Sequence, residues 1–402
     1  MKNPIPMINR WRRRCDTAGC VVSAIAILIG LYGVHSFFVR RISYENVTSP
    51  GYDHSSDEDL VDLTLVTSAK RRGAFCLDGS LPAYHFRRGF GSGSNNWILH
   101  LEGGGWCNSE LSCMKRKFHR LGSSKYMEQK VPFQGMLSNS PSQNPDFYNW
   151  NQVKIRYCDG GSYASHSNTT FKNGFVRFFR GELIWEAIMD ELLSLGMSSS
   201  QQALLSGCSA GGLSALIHCD RFRERLPKTA TVKCLADAGF FLDEMNLLGN
   251  FTFRQFFRDV VNLQSLAKSF PEDCTSHMDP FKCMFPREII KTTRTPLFLV
   301  QPAYDWWQIQ NILAPIVADP HNDWLKCRLD LNRCNAVQRK TLLGYRESLL
   351  RDMKDLMQRE NAGFFVNSCF IHCQTWMTST WHSPNSPRIS NKVIPSAYPI
   401  NM

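Results

Sequence analysis

Five consecutive residues, Gly207-Cys208-Ser209-Ala210-Gly211, set a serine between an apolar, strand-like run (Ala203 to Ser206) and a helical stretch that starts at Gly211. A serine on a tight strand-to-helix turn is lifted clear of the sheet, and the glycines allow the close backbone approach that such a turn demands. The plainer reading of the five letters is a glycine-rich turn with a solvated serine. The strand and helix around it favour a nucleophile. Attack on a carbonyl puts negative charge on its oxygen, which calls for backbone N–H groups aimed at that point. One expected donor is Ala210, the residue after the serine. The second is expected from a glycine-rich loop after an earlier strand, and Gly103-Gly104-Gly105-Trp106 follows the strand-like Trp97 to Leu101.

In such a chain an acid and then a histidine follow the serine. Asp305, in Ala303-Tyr304-Asp305-Trp306-Trp307, comes directly after an apolar run and is the favoured acid. Its competitor is Asp237, in Leu235-Ala236-Asp237-Ala238-Gly239, where a turn or helix-cap role is the more usual job. The histidines beyond Asp305 are His321, His372 and His382. His382 lies in a Ser/Pro-rich tail and reads as surface. His372 follows the apolar Phe364-Phe365-Val366 and has Cys373 beside it, so a disulfide could fix its loop. We take His372 as base toward Ser209 and later acid toward the leaving alcohol. Asp305 would hold the imidazole tautomer and stabilise the imidazolium.

Metal chemistry is the main rival. There is no His-Glu-x-x-His and no Cys-x-x-Cys pair at zinc spacing. Cys369, His372 and Cys373 could ligate in principle, but in an oxidising compartment a disulfide is the better use of them. No dinucleotide fingerprint is present. A serine esterase needs no cofactor, and none is expected.

The elements that must carry these residues alternate. Strand-like runs at 97–101, 152–157, 203–206, 232–236 and 296–301 are interleaved with helical stretches. One helix, over 181–195, puts Ile184, Ala187, Ile188, Leu192 and Leu195 on one face and ends at Gly196. Strands alternating with helices predict an α/β-hydrolase-like, mainly parallel sheet with helices on both faces.

With 402 residues, 43% of them hydrophobic, the chain can bury a sizeable core. Its net charge is +11, but seven basic residues against Asp16 in the first 41 positions account for +6, leaving +5. No basic run is interleaved with aromatics, so a nucleic-acid partner is not expected. From Val21 to Val39 the chain is uncharged and mostly apolar, and Arg10-Trp11-Arg12-Arg13-Arg14 precedes it. That pattern suits a retained membrane anchor with a cytosolic end at 1–20 better than a signal peptide cut after Ser36. Either would export the chain beyond Arg40. Residues 40–62 read as a polar stem, 63–392 as the catalytic domain and 393–402 as a divergent tail. Asn46, Asn168 and Asn250 open glycosylation triplets beyond the apolar run. Thirteen of the 15 cysteines also lie beyond it, as expected of a disulfide-stapled exported domain. Cys107/Cys113, Cys274/Cys283, Cys327/Cys334 and Cys369/Cys373 look like short staples. Because thirteen is odd, at least one cysteine must be left out or pair between chains.

Several separate stretches, in one order, resemble the plant pectin acetylesterase family, which is related to the Notum-type carboxylesterases. They are Leu77-Asp78-Gly79-Ser80-Leu81-Pro82-Ala83-Tyr84, Leu101-Glu102-Gly103-Gly104-Gly105-Trp106-Cys107, and Leu205 to Gly212 around Ser209. Further on come Ala236-Asp237-Ala238-Gly239-Phe240-Phe241, Tyr304-Asp305-Trp306-Trp307-Gln308, Ser368-Cys369-Phe370 and His372-Cys373-Gln374-Thr375. The resemblance spans about residues 63–391. It implies hydrolysis of acetyl esters on pectin in the cell wall, with Ser209, Asp305 and His372 as the triad. It also implies Gly105, Trp106 and Ala210 as the oxyanion region. Acetylated pectin is then the expected partner and a monomer the expected state. The N-terminal segment and the tail after Lys392 depart from the family pattern. Two other readings remain: a Notum-like lipid deacylase, which would need a deep apolar pocket, and a non-catalytic polysaccharide-binding protein. An inactive relative would typically lose Ser209 or His372, and this chain keeps both.

Overall fold

In the computed structural model, which describes residues 60–170, 176–381, 388–389 and 392–393, nine strands form one sheet. In chain order they are β1 (Leu60–Leu65), β2 (Ala83–Arg87), β3 (Asn96–Leu101), β4 (Lys130–Pro132) and β5 (Asn151–Ile155), then β6 (Gln202–Cys208), β7 (Thr231–Asp237), β8 (Leu297–Pro302) and β9 (Ala362–Asn367). Their spatial order is β9-β8-β7-β6-β3-β5-β2-β1-β4. The first six of that order run parallel, from β9 to β5. The last three, β2, β1 and β4, are antiparallel additions. The described residues fall in one compact unit, Asp57–Met402.

The parallel strands have the apolar composition that burial on both faces requires. Every residue of β3 is buried. Trp97, Leu99 and Leu101 point into the main core, while Ile98 joins a second cluster with Leu204, Leu235, Val300 and Phe365. This alternation is the period-two geometry of a strand with a core on either side. Four helices matter for the site: α1 (Glu110–Arg116), α2 (Gly181–Ser194), α3 (Ala210–Glu224) and α4 (Thr252–Gln264). On α2 the residues Ile184, Ala187, Ile188 and Leu192 are buried, and Gly196 (φ 117°) follows the helix end.

The sheet begins at Leu60, three residues before the expected domain start, so part of the polar stem is strand. The antiparallel edge is not signalled by the sequence. Leu60–Leu65 and Ala83–Arg87 are short, pair with each other, and join the sheet through distant partners, β1 through β4 and β2 through β5. No helix among the described residues is long and apolar enough to cross a membrane. Residues 21–39 and Asn46 lie outside the described residues, as do His382 and most of the tail.

Candidate active site

The parallel register collects the C-terminal ends of β3, β6, β7, β8 and β9 at one edge, where ligands bind in open α/β sheets. Leu101 pairs with Gly207, Cys208 with Asp237, and Pro302 with Asn367. The loops after these five strand ends carry the candidate residues.

Ser209 sits between β6 and α3 at φ 59°, ψ −125°, and is 5% exposed. Holding a residue with a Cβ in such a conformation costs roughly 1–3 kcal/mol, so the surroundings must enforce it. Its N–H donates to the Asp237 carbonyl at 2.9 Å. The glycines allow the turn to close: a Cβ on Gly207 would lie 2.2 Å from the Gly211 carbonyl oxygen, and one on Gly211 2.1 Å from that of Leu101. A Cβ on Gly103 would lie 2.9 Å from the Cβ of Ser209, so the glycine loop and the serine turn are in direct contact.

Asp305 caps the short helix Trp306–Gln308, accepting through Oδ1 from the N–H groups of Trp307 (2.9 Å) and Gln308 (3.1 Å). Both carboxylate oxygens also face Nδ1 of His372, at 2.9 and 2.8 Å. The side chains of Asp305 and His372 are 1% and 9% exposed. A carboxylate only accepts, so the proton between them sits on Nδ1, and Nε2 is left to take a proton from elsewhere. Trp307 stacks on the imidazole (centroids 5.9 Å, 22°) and Trp306 meets it edge-on (5.6 Å, 70°). His321 lies exposed on a turn.

Asp237, the rival acid, is placed differently. Its Oδ2 accepts from the N–H groups of Gln374 (2.6 Å) and Thr375 (2.7 Å) and from the Thr375 hydroxyl (2.8 Å). It therefore fastens the two residues after Cys373, while Nδ1 of the imidazole is engaged by Asp305. Burial pushes the Asp237 carboxyl up to about 6, against the pull of those donors and of His372. A raised native pKa means that the folded state holds a proton the unfolded state has released, so this group's contribution is present below about 4 and lost as pH rises through 6. Asp237→Asn should therefore gain stability relative to the wild type as pH rises from about 4 to about 6. Asp159, also pushed up to about 6 by burial, keeps its own contribution in both. Asp237→Ala removes the same titrating group but also strands three donors, so it should lie about 2–5 kcal/mol below Asp237→Asn throughout that range. Denaturant midpoints measured across that pH range separate the two variants.

The glycine loop is held by its carbonyls. The Arg116 side chain, on α1, donates to Gly104 O at 2.8 Å and Gly105 O at 3.3 Å, and the Tyr157 hydroxyl donates to Gly105 O at 2.9 Å. Gly104 (φ 146°) and Gly105 (φ 63°) adopt backbone angles that favour glycine. At the loop's base Glu102 accepts from Arg156 Nε (3.0 Å) and Tyr157 N–H (3.0 Å). Burial pushes the Glu102 carboxyl up, but Arg156, Lys154, Arg120 and that N–H outweigh it and hold it down at about 2. The two loops are joined by Ser162. The Trp106 indole donates to its hydroxyl at 2.7 Å, and that hydroxyl donates to Ala210 O at 2.8 Å. Trp106 then packs edge-on against Phe241 and Phe257 (both 5.0 Å), Trp307 (6.1 Å), and Phe253 and Phe256 on α4.

Sequence reasoning misses Ser162, Tyr157 and Arg116 as parts of the site, and it misses the anchoring role of Asp237. Only the turn signal Asp159-Gly160-Gly161 hints at a special conformation near Ser162, whose φ is 56°.

Six disulfides are present: Cys76–Cys158, Cys107–Cys113, Cys208–Cys373, Cys219–Cys234, Cys274–Cys283 and Cys327–Cys334. The expected Cys369/Cys373 staple is not among them. The His372 loop folds against the serine turn, which brings Cys373 to Cys208 with Cα atoms 5.6 Å apart. Cys373 is thereby removed as a metal ligand. No group of three or more His, Cys, Asp or Glu among the described residues is placed to hold a metal ion. Asn250 is exposed just before α4, and Asn168 lies in the strand Ser167–Thr170.

A protein-family model described as Pectinacetylesterase matches residues 54–399. Pectin acetylesterase 5 of Arabidopsis thaliana is 57% identical over 349 residues, covering 86% of this chain and 82% of the relative. Pectin acetylesterase 4 of the same plant is 52% identical, covering 96% and 93%. Human palmitoleoyl-protein carboxylesterase Notum is 32% identical, covering 72% of this chain and 60% of its own. Among solved structures, the Wnt deacylase Notum from Drosophila superposes with a TM-score of 0.68 at 24% identity, covering 84% of this chain and 91% of that one. The last match is evidence of the fold alone.

Proposed function

The chain belongs to the pectinacetylesterase family, and from that footing we propose that it hydrolyses acetyl esters of pectin through Ser209, His372 and Asp305. It is an esterase by the same kinship. The observation that carries the residue assignment is the arrangement at the strand ends: a serine held at φ 59° after β6, and an Asp305–His372 pair at 2.8 Å after β8 and β9.

Ser209 Oγ attacks the acetyl carbonyl carbon while His372 Nε2 takes its proton. The charge on the carbonyl oxygen meets N–H groups of Ala210 and of the Gly105–Trp106 segment, each worth about 2.7–4 kcal/mol at the transition state in comparable sites. His372 returns the proton to the departing sugar oxygen, leaving an acetyl-serine. Water, deprotonated by the same imidazole, then releases acetate. Arg116, Tyr157 and Ser162 support this by fixing the peptide planes of both loops before substrate arrives. The aromatic side chains packed around Trp106 favour a small acyl group over a long one, because a long acyl chain would have to displace several of them. Six disulfides fit an exported protein acting at the cell wall.

The test is acetate release from acetylated pectin by the full chain, compared with hydrolysis of p-nitrophenyl palmitate. We expect acetate, with kcat/KM for the palmitoyl ester at least about a hundredfold lower. Preference for the palmitoyl ester would replace this reading with a lipid deacylase. A folded protein that hydrolyses neither would leave a polysaccharide-binding module.

A further inference from the structure

Among the six bridges, Cys208–Cys373 is distinguished by its neighbours. Cys208 immediately precedes Ser209, and Cys373 immediately follows His372. The bond thus runs between the two residues that flank the nucleophile and the base, 165 positions apart in sequence. Local preference alone would not keep these backbones as they are. Ser209 at φ 59° and Cys373 at φ 67° both occupy the positive-φ region that residues with a Cβ rarely adopt. Asp305 orients the imidazole through Nδ1, but it approaches from the end of β8 and sets no distance to the serine. Asp237 grips Gln374 and Thr375, which lie beyond the bridge. Asp237 links the two loops through hydrogen bonds, its carbonyl to the Ser209 N–H and its carboxylate to Gln374 and Thr375, and the disulfide is the covalent tie directly beside the serine and the histidine.

We propose that Cys208–Cys373 is a positioning bridge that sets the spacing of Ser209 and His372, so that hydrolysis depends on its oxidation state. The proposal rests on the nucleophile and base roles given above. Exposure singles out the same bond. Cys208 is partly exposed, whereas the other eleven bridged cysteines are buried, so a small dithiol reaches this bond first. The step balances: dithiothreitol gives two electrons and two protons, the bridge becomes two thiols, and the reagent becomes its cyclic disulfide. A misplacement of about 1 Å between reacting groups can cost about a hundredfold in rate.

The experiment compares the full chain with the double variants Cys208→Ser/Cys373→Ser and Cys327→Ser/Cys334→Ser, all assayed well below their melting temperatures. The first should lose about a hundredfold in kcat for acetate release with KM little changed, while the second loses thermal stability only. A bridge that merely stabilises the fold would lower the melting temperature of the first variant and leave its kcat intact, and that result would overturn the proposal. Should the first variant fail to fold, the wild type can be titrated with dithiothreitol while mass spectrometry maps the opened bridge. Activity should fall as Cys208–Cys373 opens and return on reoxidation; activity that persists with that bridge open overturns the idea equally. Failure of the underlying esterase reading looks different, since the oxidised wild type would then release no acetate or Ser209→Ala would still do so.

Discussion

Ser209→Ala should lower kcat for acetate release by about 10⁴- to 10⁶-fold, the loss seen when the nucleophile of a serine hydrolase is removed. Little else should change. Alanine keeps the Cβ, so the positive-φ turn is neither relieved nor worsened, and the backbone N–H still has the Asp237 carbonyl at 2.9 Å. Stability should stay within about 1 kcal/mol of the wild type, as for substitutions that leave packing and backbone bonds in place. Acetate release, melting temperature and labelling by a fluorophosphonate probe, measured together, check this. A variant that retains even a tenth of the activity would remove Ser209 from the mechanism, because hydrolysis would then run through another nucleophile or by direct attack of water.

The second large effect is expected from Asp305→Asn, at about 10⁴-fold in kcat with KM little altered. The reason lies in how the carboxylate is used. Oδ1 must accept from the N–H groups of Trp307 and Gln308, so an asparagine is forced to turn its own Oδ1 toward them. Its NH₂ then faces His372 Nδ1, where the carboxylate had been an acceptor. Two donors cannot share that contact, so the imidazole adopts the tautomer with the proton on Nε2. In that form it cannot receive the serine proton. The fold should survive, since the asparagine still caps the helix Trp306–Gln308. A loss smaller than tenfold in the acetate-release assay would mean that the geometry between Asp305 and His372 serves packing and not proton transfer.

Much of the scaffold was legible because it follows from local rules. The strand runs near 97–101, 203–206 and 232–236 are largely apolar, as strands covered on both faces must be, and their observed limits differ by one or two residues. The serine turn could be read because it needs glycines at fixed offsets, and the helix over 181–195 because its apolar residues recur every three or four positions. What escaped was set by distant partners. β1 and β2 look like nothing in particular until β4 and β5 arrive beside them. Asp237 reads as a turn residue from its neighbours, yet its partners are Gln374 and Thr375, well over a hundred positions later. The pairing of Cys373 went to Cys208 and not to its near neighbour Cys369 for the same reason: close in sequence is not close in space.

The 165-residue span of the Cys208–Cys373 bridge also bears on when, during its own synthesis, this protein acquires a centre. At roughly 5–20 residues per second, on the order of ten to thirty seconds pass between the appearance of Cys208 and that of its partner. Cys219 and Cys234 emerge within that interval and belong to each other. Cys208 must wait, or pair wrongly and be exchanged later. Because β9 and the histidine loop follow the other eight strands of the sheet, a nascent chain that has not reached them holds the serine turn without the base proposed for it. On the roles proposed for Ser209 and His372, latency is thus written into the order of the chain: no ester would be cleaved before the histidine loop has been made.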